Sequence, residues 1–111
     1  FKESFMAKAV WNGTVIAESK DIALVEGNAY FPINSLKMEY FEKSGETPQT
    51  HCFWKGFATY YNVTVDGKKN IGGAWFYDEP LEAAMVIKDR VAFWKGIQVI
   101  GAPKGKGLTH D

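Results

Sequence analysis

With a single cysteine, the 111-residue chain has no internal disulfide. With only two histidines besides, it falls short of a structural zinc site, which draws on several Cys or His ligands. His51 and Cys52 are adjacent, and the other histidine, His110, lies near the C-terminal end. No charge of one sign dominates, because thirteen basic side chains balance thirteen acidic ones. A neutral domain lacks the surplus that draws proteins to nucleic acid or to anionic membranes. No run approaches the roughly 18–20 apolar residues of a membrane span. Phe1–Phe5 has no apolar stretch of the secretory kind. Residues 1–6 are therefore expected to be an N-terminal extension or tag remnant, and the cytoplasm is the expected compartment.

Large rings are abundant. Four Trp, five Tyr and eight Phe in a chain that is 46% apolar are enough for one hydrophobic core without staples. Residues 7–100 are expected to form a single β domain. Gly101–Asp111, with three Gly, one Pro and two Lys, reads as a flexible tail.

Turn chemistry marks the strands. Asn12-Gly13 tolerates the positive φ angles of a type I′ turn, so Ala7–Trp11 and Thr14–Glu18 form a hairpin with Trp11 opposite Thr14 and Val10 opposite Val15. Ile22–Val25 and Ala29–Pro32 flank Glu26-Gly27-Asn28 as a second pair. Ile33–Ser44 alternates at Leu36, Met38 and Tyr40 and is read as a strand, although Leu36, Tyr40 and Phe41 also suit a short helical face. Gly45 and Pro48 make Ser44–Thr50 a loop. Pro80 opens a short helix to about Val86, Lys88-Asp89 turns the chain, and Arg90–Trp94 is a strand. Phe53-Trp54-Lys55-Gly56 recurs as Phe93-Trp94-Lys95-Gly96, but the flanks differ, which argues against an internal duplication.

The longest strand, Trp54–Val65, turns at Asp66-Gly67 into Lys68–Tyr77. A two-residue loop puts Lys55 opposite Asp78, Gly56 opposite Tyr77, Phe57 opposite Phe76 and Ala58 opposite Trp75, with a bulge near Gly72-Gly73 able to shift the far end by one residue. Phe57, Tyr61, Val63 and Val65 occupy the other side, so both faces are expected to be buried, as in a sandwich. The expected fold is mostly β, a small antiparallel tent or sandwich-like domain built from hairpins.

Reactive groups concentrate in Thr50–Gly56. Cys52 beside Lys55 and His51 is a candidate nucleophile, since nearby positive charge favours the thiolate. His51 points to the opposite face of a strand and is poorly placed as its base; the plainer role for Cys52 is a buried structural thiol. Lys55 is a candidate contact for an anion or carbonyl at a pocket mouth, against the simpler role of an ion pair with Asp78. Trp75, Tyr77, Tyr60, Tyr30 and Trp94 are candidate pocket walls, with His51 at the edge. Glu18 and Glu26 are expected to be solvated. Gly72-Gly73 lacks the following helix and Lys-Ser/Thr of a phosphate loop.

Cys52-Phe53-Trp54-Lys55-Gly56, followed by Ala58 and Tyr60, resembles the Cys-Pro-Tyr/Trp-Lys-Gly-x-Ala-x-Tyr signature of the family called domain of unknown function 427. Gly13, Ala17-Glu18-Ser19, Tyr30-Phe31-Pro32, Ala74-Trp75-x-Tyr77-x-x-Pro80 and Val91-Ala92-Phe93-Trp94 follow its order, so the resemblance covers residues 7–99. Phe53 departs from the usual Pro. The resemblance implies a small β-tent or sandwich similar to methionine-sulfoxide reductase B. Those proteins hold zinc with paired Cys motifs that are missing here, so no metal or cofactor is carried over. The family is sometimes labelled nucleotidyltransferase-like, but no Gly-Ser followed by paired Asp stands in this chain. Binding of a small molecule in an aromatic-lined pocket near Lys55 is the leading expectation. An enzyme using Cys52 or Lys55 comes second, and a protein-interaction module or homodimer third; neither nucleic acid nor membrane is expected as a partner.

Overall fold

The computed structural model describes residues 6–102; the expectations for residues 1–5 and 103–111 lie outside them. Among the described residues, ten strands form two antiparallel sheets. The smaller sheet is ordered β10-β1-β2, from β1 (Ala7–Trp11), β2 (Thr14–Ser19) and β10 (Gln98–Ile100). The larger follows β3-β4-β9-β8-β7-β5, with β6 also pairing β7. Its strands are β3 (Ala23–Val25), β4 (Asn28–Pro32), β5 (Phe41–Lys43), β6 (Thr50–Cys52), β7 (Gly56–Val65), β8 (Lys68–Tyr77) and β9 (Arg90–Phe93). The domain is mostly β, as its turn chemistry and alternation imply. None of the helices described is long and apolar enough to cross a membrane.

Local signals place the hairpins well. Asn12 and Gly13 both have positive φ, and Trp11 pairs with Thr14 and Val10 with Val15. Glu26 and Gly27 turn the next hairpin in the same way, so Val25 pairs with Asn28 and β4 begins one residue before Ala29. Asp66-Gly67 joins β7 to β8 with Val65 opposite Lys68. The expected short helix is a 3-10 segment, Glu82–Ile87.

Three expectations about the strands are corrected. Ile33–Ser44 is not one strand: two 3-10 turns, Ile33–Ser35 and Met38–Tyr40, precede β5. The chain must travel from β4 to the far side of β7, and winding lets Leu36 drop into the core beside Ala17 while Met38 stays in solvent. The long strand starts at Gly56, not Trp54, because Phe53-Trp54-Lys55 forms the turn of a β6–β7 hairpin that pairs Cys52 with Gly56. Gly56 is suited to that position by a φ of +110° and by the carbonyl oxygen of Glu79, which lies 3.3 Å from where a Cβ would stand. Gln98–Ile100, to which the sequence assigned no element, completes the small sheet beside β1.

The third concerns register. Ala58 pairs with Tyr77, Thr59 with Phe76 and Tyr60 with Trp75, a shift of two residues from the simple hairpin count. Between Tyr61–Ala74 and Val63–Asn70, one residue of β7, Asn62, faces three of β8, Ile71, Gly72 and Gly73. Buried Asn62 accepts a hydrogen bond from the Gly72 amide at 2.9 Å and fills the gap. A shift of two keeps every side chain on its expected face, because strand side chains alternate with period two.

Both faces of the large sheet are therefore covered. Ala7, Ala9, Ile16 and Ala17 of the small sheet pack on Phe31, Phe41, Tyr61, Val63, Val65 and Phe93. The opposite face holds Val25, Tyr30, Trp54, Ala58, Tyr60, Tyr77 and Ala92, capped by Ala84 and Ile87 of the 3-10 segment. Phe57 is the exception at 57% exposed, since it lies beyond the reach of the small sheet at the start of β7.

Candidate functional site

The second face carries most of the residues singled out above. Trp75 on β8 pairs with Tyr60 on β7 and with Ala92 on β9. β9 lies between β4 and β8, and the small Ala92 side chain lets Tyr30 reach Trp75 across it. Their rings meet edge to face at 6.2 Å, and Trp75 Nε1 donates to the Tyr30 hydroxyl at 3.2 Å. Trp94 closes the row, 5.7 Å from Trp75 and 6.4 Å from Tyr60 between ring centroids. It is anchored by an Nε1 hydrogen bond to the Gly72 carbonyl oxygen at 2.7 Å, yet it remains 46% exposed. The Tyr60 hydroxyl shares a hydrogen bond of 2.8 Å with Thr50 Oγ1.

Lys55 enters this face from the β6–β7 turn and is only 8% exposed. The expected ion pair with Asp78 does not form, because the hairpin turn lifts Lys55 off the β7 ladder. Its ammonium instead pairs with Oε1 of Glu26, from the β3–β4 turn. Trp54 Nε1 donates to the other oxygen, Oε2, at 3.3 Å. The Lys55 Nζ also lies 5.4 Å from the Trp54 ring centroid and 5.6 Å from that of Tyr77, within cation–π range. Glu26 was expected to be solvated; it is half-exposed, but both of its oxygens are engaged from the β6–β7 turn.

Burial shapes the proton chemistry here. Tyr30, completely buried, is pushed up to about 12 by loss of water, although the Trp75 bond and the Lys55 charge pull the other way. Tyr77 is likewise pushed up to about 12 by burial, with Cys52, Tyr60 and Glu26 adding to the rise. For Lys55, burial pulls the ammonium down, but the Glu26 hydrogen bond and the surrounding charges outweigh it and hold the group above the ordinary lysine range. The result is an ammonium kept charged beside two phenols kept neutral. Such a cation can hold a carboxylate, a phosphate or a carbonyl oxygen, and is a poor nucleophilic amine.

Cys52 packs against the edge of this cluster, partly buried. His51 does not join it: the imidazole is exposed and packs, tilted, against Phe57, directly opposite in the ladder, with ring centroids 4.8 Å apart. Thus Lys55, Trp75, Tyr77, Tyr30 and Tyr60 come together, and His51 stands apart. Sequence reasoning missed Glu26 as the partner of Lys55. The available signal was Glu26-Gly27 as a two-residue turn, which brings a carboxylate to the hairpin tip but says nothing of what it meets. Among the described residues, no group of three or more His, Cys, Asp or Glu side chains is arranged to hold a metal ion.

No curated protein sequence matches the chain. A family model does match, over residues 2–101, and on that match the chain belongs to the family described as Domain of unknown function (DUF427).

Proposed function

We propose that this domain binds a small planar molecule on the aromatic face formed by Trp75, Tyr60 and Trp94, with Lys55 as its polar anchor and Tyr30 and Tyr77 as the supporting wall. The observation that carries this reading is the buried Lys55 ammonium, paired with Glu26 and walled by Trp54 and Tyr77. Taking an ammonium out of water is costly, and a buried ion pair seldom stabilises a fold more than apolar residues of the same volume would. A charge held in such surroundings is a reasoned marker of a site. Beside it stands the half-exposed Trp94 ring, on which a planar group can stack at little cost in side-chain freedom.

Lys55 is kept protonated, which suits it to contact an anion or carbonyl and disfavours a Schiff-base role. Differential scanning fluorimetry and tryptophan quenching with nucleosides, nucleoside monophosphates and aromatic carboxylic acids test the proposal. At least one of these classes should raise Tm and quench fluorescence, with affinity about tenfold weaker in Lys55→Met and in Trp94→Ala. A panel that leaves Tm unchanged defeats the reading, as does binding indifferent to both substitutions.

A further inference from the structure

The opposite face of the large sheet carries a second, separate feature. A cleft of about 230 Å³ lies between Ile33, Lys43 and Arg90, with Tyr61 and Phe76 in its lining. These two rings lie 5.0 Å apart and only 30° from parallel, an apolar floor held in place by β7 and β8. Lys43, paired with Tyr61 across the β5–β7 ladder, stands on one rim. Asp78, just past the end of β8, also lines the cleft.

The charges lining this cleft, Lys43, Asp78, Asp89 and Arg90, are unevenly committed, and Asp89 lies 4.0 Å from the ammonium of its neighbour Lys88. Arg90 is spent: its Nη1 donates to the carbonyl oxygens of Asp21 and Tyr30, and its Nη2 to the Asp21 carboxylate at 3.0 Å. Lys43, Asp78 and the Tyr61 hydroxyl have no hydrogen-bond or ion-pair partner among the described residues. Lys43 and Asp78 line one cleft without pairing, so their charged atoms are more than about 4 Å apart. An unpaired cation and an unpaired anion over an aromatic floor complement a molecule that carries both charges and an apolar group. The cleft is smaller than the roughly 300–1,000 Å³ of pockets for drug-sized ligands, which limits the occupant to a small one.

We propose that this cleft binds a small zwitterion with an apolar or aromatic side group, a free α-amino acid being the chemical class. The carboxylate meets the Lys43 ammonium, the ammonium meets Asp78, and the side group lies on Tyr61 and Phe76. The Tyr61 hydroxyl, kept protonated by burial and by the Asp78 charge, serves as a donor to the carboxylate. An adjoining depression of about 350 Å³, which shares Ile33, Asp89 and Arg90, leaves space for a larger side group. Tyr77 borders both this cleft and the Lys55 face, but the charges and rings used here are not those of the Lys55 face, so the site stands or falls by itself.

Titration of isotope-labelled protein with L-phenylalanine, followed through backbone amide resonances, tests it. Saturable shifts are expected at Lys43, Tyr61, Phe76 and Asp78. Phenethylamine and 3-phenylpropanoate, each keeping one of the two charges, should bind at least about threefold more weakly, the scale of one exposed ion pair. Lys43→Gln and Asp78→Asn should weaken phenylalanine binding to a similar degree, and Lys37→Gln, an exposed lysine outside the cleft, should not. No saturable shift up to the solubility of phenylalanine overturns the proposal. Equal binding of either single-charge analogue overturns it too, and that measurement needs no variant to fold.

Discussion

Glu26 and Lys55 lie 29 residues apart in the chain, and each sits in the turn of a different hairpin, yet their side chains form the one ion pair among the described residues whose cation is buried. The two partners are unequal in their access to water. Lys55 is nearly enclosed, while the carboxylate of Glu26 is half-exposed. Glu26→Gln leaves an ammonium in a dry site without its counter-charge and is expected to cost roughly 1–3 kcal/mol. Lys55→Met removes the enclosed charge and leaves a carboxylate that water can reach, at a smaller cost. Urea denaturation of both variants checks the order; a larger loss for Lys55→Met contradicts it.

Alkaline pH should weaken the fold. The folded state holds the protons of Tyr30 and Tyr77 up to about 12, and that of Lys55 above its ordinary range. The unfolded chain releases the tyrosine protons near pH 10, so from there upward it binds fewer protons than the folded state and stability falls. The contribution is complete below about pH 10 and lost as the pH rises through about 12. For fully buried Tyr30 the loss is about 2–3 kcal/mol. Tyrosinate absorbance, with unfolding followed in parallel, should show these two phenols ionising only as the protein unfolds.

Tyr30→Phe removes the acceptor of the Trp75 indole hydrogen bond while keeping the ring contact. A part-buried N–H without a partner costs roughly 1–2 kcal/mol, and the alkaline loss of stability should shrink because one shifted phenol is gone. Equilibrium unfolding of this variant at neutral and alkaline pH measures both effects.

Register in the central hairpin depends on Asn62 and on the glycines it faces. Asn62 accepts from the Gly72 amide and donates to Glu46 Oε1 at 2.8 Å. Asn62→Ala should cost about 1–3 kcal/mol by stranding the buried amide. In Gly73→Ala the new Cβ would stand 2.5 Å from Asn70 Oδ1 and 2.9 Å from Ile97 Cδ1, so neighbouring side chains must move. A loss of about 1–3 kcal/mol is expected there as well. Hydrogen exchange should show faster opening of β7 and β8 in both variants; unchanged protection counts against this account of the bulge.

Asn12-Gly13 and Asp66-Gly67 were legible as turns from their residue types alone, because a positive φ is a local steric matter. The same holds for the faces: Tyr61, Val63 and Val65 fall on one side and Ala58 and Tyr60 on the other, since strand geometry alternates whatever the partner. Trp75, Tyr77 and Tyr60 were grouped by that alternation, whereas Lys55, which alternation assigns to the face of Phe57 and Tyr61, reaches Tyr77 only because the β6–β7 turn carries it off the ladder. Three things were decided only by the packed chain: Glu26 as the partner of Lys55, the two-residue offset opposite Asn62, and the seating of Gln98–Ile100 beside β1. The first and the last join segments far apart in sequence and form only where whole elements pack and exclude water, while the offset depends on Asn62 seating against Gly72; no window of neighbouring residues records either.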